Sequence, residues 1–175
     1  MGTLKLTSKD FKKSNPYWSD YIGTIDVSDY QGNIEIDSNL GYCKFSSIKV
    51  SGYIIAQAGS GIKAGDGIES GWGIESGWGI EAGSGIKAGW GIKVGDGIEA
   101  GDGIEAGSGI KAGLGIKAGW GIEVGDGIEA GWGIEAGLYI TCKLSLSFSI
   151  RCFSGICYWR NVEESEKTIT CGKKE

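Results

Sequence analysis

The sequence predicts an all-β fold: a single-stranded β-solenoid, or β-helix, built from six-residue repeats and closed by non-repetitive β caps at both ends. Three observations carry this. Of the 34 glycines in the 175-residue chain, 27 lie between Ala58 and Gly137, and with only one proline that stretch is neither collagen nor a structureless linker. Within it the unit A-G-x-G-I-(E/K), with Ser or Val for the Ala in four copies, recurs thirteen times, placing isoleucine at every sixth position from Ile62 to Ile134. Inside each unit the Ile and the next small residue, as in Ile62 and Ala64 or Ile92 and Val94, flank a charged residue. Alternation of that kind puts Ile and Ala on one strand face and Lys or Glu on the other.

Taken in order, residues 1–21 carry Lys5, Lys9, Lys12 and Lys13 against Asp10 and read as a basic N-terminal arm. Residues 22–57 read as irregular N-terminal coils, because Ile25-Asp26-Val27, Ile34-Glu35-Ile36 and Ile48-Lys49-Val50 keep the apolar, charged, apolar order without the glycines. Residues 58–137 are the hexad solenoid, whose G-x-G is expected to supply left-handed backbone at each corner. Residues 138–175 form the C-terminal cap. There Cys142, Leu144, Leu146, Phe148, Ile150 and Cys152 alternate with polar residues, which predicts one amphipathic strand longer than any in the repeat. A second strand is expected over Thr168 to Cys171, after a charged loop from Asn161 to Lys167.

A helix is excluded because two glycines per unit would cost it roughly 2 kcal/mol relative to alanine, and period six matches no face of a 3.6-residue helix. Disorder is disfavoured because stacked coils would bury a continuous column of isoleucine. Charge bears on the length of a coil, since like charges in adjacent coils lie about 4.8 Å apart and repel. Opposite signs meet in nine of eleven steps at two units per coil, in seven of ten at three, and in five of twelve between immediate neighbours. One unit per coil is rejected; twelve and eighteen residues stay open. A three-sided coil is favoured slightly, because two sides lined by Ile and Ala enclose a very thin core.

The unit Ala64-Gly65-Asp66-Gly67-Ile68-Glu69 resembles that of the hexapeptide-repeat family of left-handed β-helices, with the large and small apolar positions exchanged. That exchange keeps handedness from carrying over. The chain also looks like bactofilin-type solenoids, rich in G-x-I-x-V-x-G, and the likeness extends back through the three triplets before the repeat. Both resemblances imply architecture only.

Composition narrows function more than it specifies it. With no histidine, the commonest general base, the Ser-His-Asp and Cys-His pairs and every His-based metal site are missing. The five cysteines (Cys43, Cys142, Cys152, Cys157, Cys171) are odd in number and never spaced C-x-x-C, so a reducing compartment is expected, with Cys142 and Cys152 as core residues. No signal segment or long apolar run is present, so a soluble, cytoplasmic protein with no membrane partner is expected. Nine of the thirteen units match G-x-G-x-x-A, but so many copies without a following helix cannot be a dinucleotide fingerprint. The corner residues Asp66, Asp96, Asp102 and Asp126 lack the nine-residue period and Gly-Gly pair of calcium-binding repeats and read as solvated. No metal or cofactor is expected.

The same corner position holds Trp72, Trp78, Trp90, Trp120 and Trp132. A site that accepts both Asp and Trp should face solvent. Exposed indoles mark binding surfaces, or else shield the glycine-rich backbone; the two uses weigh equally. Residues 58–137 carry five Lys against twelve acids, a charge of -7, and the remainder carries +2. Such a rod should repel nucleic acid and attract basic protein surfaces. The expected function is therefore a non-catalytic interaction or scaffold module that binds a basic protein surface, self-associating through its ends in one version. Its partner-binding residues are the five tryptophans, the four corner aspartates, and Glu69, Glu99 and Glu129 on the faces. The alternative is a phage-type inhibitor of a nucleic-acid-processing defence enzyme, directed against CRISPR or restriction systems and acting by acidic mimicry. A hexapeptide-type acyltransferase is disfavoured by the missing histidine, and an ice-binding plane by the missing threonine in the repeat.

Overall fold

Each isoleucine of the repeat is stacked on the isoleucine eighteen residues away, and this register defines the fold. Ile74 lies opposite Ile92, Ile80 opposite Ile98 and Ile86 opposite Ile104, all in parallel ladders. A computed structural model describes residues 2–155, 161 and 163–174 and shows a parallel β-solenoid of about seven three-sided turns. Three sheets of nine, nine and seven strands form its sides. In the first, Ile74–Ser76, Ile92–Val94, Ile110–Ala112 and Ile128–Ala130 follow one another; in the second, Ile80–Ala82, Ile98–Ala100 and Ile116–Ala118; in the third, Ile86–Ala88, Ile104–Ala106 and Ile122–Val124. Cys157 lies outside the described residues, as do parts of the expected loop before the last strands.

The three-residue strands bury their first and third side chains and expose the charged one between. Every repeat isoleucine is at most 2 % exposed. At about 2 kcal/mol for each buried Ile, three columns of them dominate the cohesion of a turn. Where serine replaces the small residue, its hydroxyl is satisfied inside: Ser70 Oγ donates to the Gly52 carbonyl at 2.7 Å and Ser76 Oγ to that of Ser60 at 3.2 Å.

The glycines serve a purpose other than the expected one. None within the repeat units from Gly61 to Gly137 has a positive φ; in the described chain only Gly41, Gly59 and Gly155 do, together with Asn39. What the first glycine of G-x-G lacks room for, from Gly71 onward, is a Cβ, which on Gly83, Gly101 or Gly119 would drive into the carbonyl oxygen of Gly65, Gly83 or Gly101 one turn back. Corners stack as tightly as strands do, and backbone hydrogen bonds run through them: Gly101 N–H donates to Ala82 at 3.0 Å and Asp102 N–H to Ser84 at 3.1 Å.

Before the repeat the turns are wider. Ile34 pairs with Ile54 and Ile54 with Ile74, twenty residues apart, and larger side chains (Leu6, Phe11, Ile36, Phe45, Val50) fill the broader interior. Ile34-Glu35-Ile36 and Ile48-Lys49-Val50 are strands as expected, whereas Ile25-Asp26-Val27 is not: Val27 is buried but Ile25 is exposed. The segment read as a basic arm contains the strand Gly2–Leu6, laid in register on Gly32–Ile36, and a hairpin of Phe11–Asn15 with Trp18–Tyr21. The outer hairpin strand runs against the direction of the stack and carries Lys12 and Lys13, a charged and reversed edge that discourages further pairing.

At the other end the single long strand is replaced by three short ones. Ile140–Cys142, Ser145–Phe148 and Arg151–Ser154 continue the three sides, each stacked on the turn before. The Leu144 N–H donates to Asp126 and the Ile150 N–H to Trp132, so these two residues become corners rather than core. Ile169–Thr170 then adds a last strand to the third sheet and Lys173–Lys174 one to the first. No helix of the described chain is long and apolar enough to cross a membrane.

Candidate functional site

The corner ladder fixes where each tryptophan stands. One edge carries Trp72, Trp90, Ser108, Asp126 and Leu144; a second carries Trp78, Asp96, Leu114, Trp132 and Ile150; the third carries Asp66, Ser84, Asp102, Trp120 and Leu138. On the first edge the backbone bonds are alike whatever the side chain: Trp90 N–H to Trp72 at 2.8 Å, Ser108 N–H to Trp90 at 2.8 Å, Asp126 N–H to Ser108 at 2.9 Å; on the second, Asp96 N–H to Trp78 is longer, at 3.5 Å. Trp72, Trp90, Trp120 and Trp132 are 43 % to 62 % exposed. Trp78 is half-buried, with its ring against Tyr42 at 5.6 Å. The five indoles therefore face three directions. Only Trp72 and Trp90 meet one another, stacked at 5.5 Å with 7° between ring planes.

The face residues sit in ladders of mixed sign. Glu69 lies 2.9 Å from Lys49, Glu99 3.7 Å from Lys117 and Glu129 2.8 Å from Lys111. Its hydrogen bond to Glu69, and then that carboxylate's charge, raise the pKa of Lys49; Glu105 does the same for Lys87. All three face glutamates named from the sequence are thus partly neutralised by a lysine one turn away. Across residues 58–137, eight Glu and five Lys leave the faces at -3, and the four corner aspartates supply the remaining -4. Among the described residues none of those aspartates has a cation within 4 Å.

On two of the three sheets a groove parallel to the long axis runs between the corner ridge and the charged ladder. On the first sheet its floor is Gly73, Gly91, Gly109 and Gly127, with Trp90 on one wall and Glu75, Lys93, Lys111 and Glu129 on the other. The second sheet repeats it over Gly97, Gly115 and Gly133, walled by Leu114, Trp132 and Ile150. The second glycine of G-x-G makes this possible, because any side chain there would stand in the groove. Tyr42 does so: its ring lies over Gly61 and Gly79 and ends the second groove. Burial, then the nearby Glu81 and Asp96, raise the Tyr42 pKa.

Several exposed apolar residues near the C-terminal end escape a reading based on alternation. Leu144, Ile150 and Phe153 are all exposed: Ile150 continues the edge of Trp132, Leu144 continues the edge of Asp126, and Phe153 stands on the second sheet opposite Glu135. The signal for Leu144 and Ile150 was present, since both continue the six-residue corner series in phase with Trp132. Among thiols, burial pushes the Cys43 pKa up to about 12, and Cys142 is also raised by burial. Among the described residues no three His, Cys, Asp or Glu side chains come together in a group able to hold a metal. Compared with protein-family models, with curated proteins and with solved structures, the chain matches none.

Proposed function

We propose that the chain is a non-catalytic interaction module, a straight three-sided rod that presents indole rings and acidic corners to another protein. The observation that carries this is the interchangeability of the corners. Ser108 and Asp126 occupy the same ladder as Trp72 and Trp90 with the same backbone bonds, so the fold itself has no need of tryptophan there. Large aromatics that the core does not require, exposed beside a glycine-floored groove, are suited to bury against a partner. The unpaired corner aspartates favour a basic partner surface and make the association sensitive to salt.

This reading is preferred over nucleic-acid mimicry. A mimic needs a continuous row of unneutralised negative charge, and the lysine beside each of Glu69, Glu99 and Glu129 breaks that row.

The test is to replace Trp72, Trp90, Trp120 and Trp132 together by serine, the residue already used at other corners. The expected outcome is an unchanged melting temperature with loss of the protein partner that the unaltered chain retains on affinity capture. A fall in melting temperature of more than about 3 °C, or about 1 kcal/mol at this size, would assign the indoles to shielding the backbone instead.

A further inference from the structure

Two thiols meet where the C-terminal segment returns to the solenoid. Ile169–Thr170 lies parallel to Ile140–Cys142, with Ile140 opposite Ile169 and Thr141 opposite Thr170. One more step along that register sets Cys142 opposite Cys171. Adjacent strands are about 4.8 Å apart, inside the Cα separation of roughly 4.4–6.8 Å that a disulfide requires. Both side chains turn inward: Cys142 is buried and Cys171 packs against the same core. The two thiols are close enough to share a hydrogen bond, and each is a free thiol in this structure. The other described cysteines lie elsewhere, Cys43 on the second sheet opposite Ile62 and Cys152 on the second sheet opposite Ile134.

We propose that Cys142 and Cys171 are a disulfide site, a reversible covalent clip that fastens the C-terminal segment over the open end of the third sheet. That segment is otherwise held to the stack by two-residue strands, with Ile169 exposed. The oxidant is a small-molecule disulfide such as glutathione disulfide. Cys171, the more accessible thiol, loses its proton and attacks one glutathione sulfur, giving a mixed disulfide and releasing one glutathione thiol. The Cys142 thiolate then attacks the Cys171 sulfur and releases the second. Two protein thiols are oxidised, and one glutathione disulfide is reduced to two thiols. Joining the ends of the chain segment 142–171 restricts the unfolded ensemble and so favours the docked cap.

The test uses the full-length protein, equilibrated with glutathione disulfide, alkylated and digested with trypsin without reduction. The expected product is peptide 118–143 joined to peptide 168–173, two hydrogens lighter than the sum of the free peptides. It should be absent from Cys171→Ser and retained in Cys152→Ser. Amide exchange over 169–171 should slow by about tenfold on oxidation and recover on reduction. Cys43, buried at the other end, serves as the thiol that alkylates only after unfolding. Alkylation of both Cys142 and Cys171 after oxidation, a glutathione adduct that never resolves, or a link from Cys171 to Cys152 or Cys157 would each overturn the proposal.

Discussion

Gly101 and Gly103 flank the same corner residue, Asp102, and the fold needs them for different reasons. A Cβ on Gly101 would meet the Gly83 carbonyl oxygen head-on, whereas one on Gly103 would sit 3.3 Å from the Gly121 oxygen, tight but tolerable. Gly101→Ala should therefore cost about 2–4 kcal/mol in urea unfolding and Gly103→Ala less than about 1. Equal costs would return the explanation to backbone conformation. This distinction is invisible in the sequence, where both glycines look like turn residues; the clash exists only once one coil lies on the next. Cys43 offers a second check at this scale. Its thiol pKa is raised to about 12 in the folded protein from an ordinary 9.0, so its contribution to stability is fully present below pH 9 and is lost as the pH climbs toward 12. Tyr21 and Tyr42, both raised first by burial, act in the same direction. Between pH 8 and pH 10.5 the protein should lose about 2 kcal/mol through Cys43, and Cys43→Ala, less stable than the native chain at pH 8, should flatten that dependence so that its deficit shrinks by about the same amount at pH 10.5.

At the scale of the strand, charge and core gave unequal guidance. Opposite-sign pairing was more frequent at twelve residues than at eighteen, yet the strands stack at eighteen, with Glu81 opposite Glu99, Lys93 opposite Lys111 and Glu105 opposite Glu123. Exposed pairs are worth only about 0.2–1 kcal/mol each, so three unfavourable contacts are easily outweighed by closing a third side around the isoleucines. The preference for a thicker core was the sounder guide. Lys117 shows the residual effect of charge, because Lys117→Glu would leave Glu81, Glu99, residue 117 and Glu135 as four carboxylates in one ladder. That variant should melt a few degrees lower at low ionic strength and recover most of the loss in about 1 M salt, where the screening length is about 3 Å. A loss unaffected by salt would point to packing. The last turn was misjudged for a related reason: strict alternation from Cys142 to Cys152 fits a long strand and a cornered coil equally well, and only the ladder from Asp126 and Trp132 decides for the coil.

For the whole molecule, the repeat made the architecture legible and left the surface only half so. Thirteen near-identical units reveal that coils stack, but the distribution of Trp72, Trp78, Trp90, Trp120 and Trp132 over three edges follows only from knowing that three units make a turn. The pairing of Glu69, Glu99 and Glu129 with lysines has the same origin. Binding by the rod depends on that geometry, which is tested most directly by cysteine pairs placed on the outer faces of a chain whose own cysteines have been replaced. Lys87 and Glu105 are directly opposed on the third sheet, while Glu99, twelve residues from Lys87, belongs to the second. With cysteine at 87 and 105, mild oxidation should join the two sites intramolecularly and in high yield, and cysteine at 87 and 99 should stay reduced. Efficient linkage of 87 to 99, or of neither pair, would contradict a three-sided coil and everything built on it.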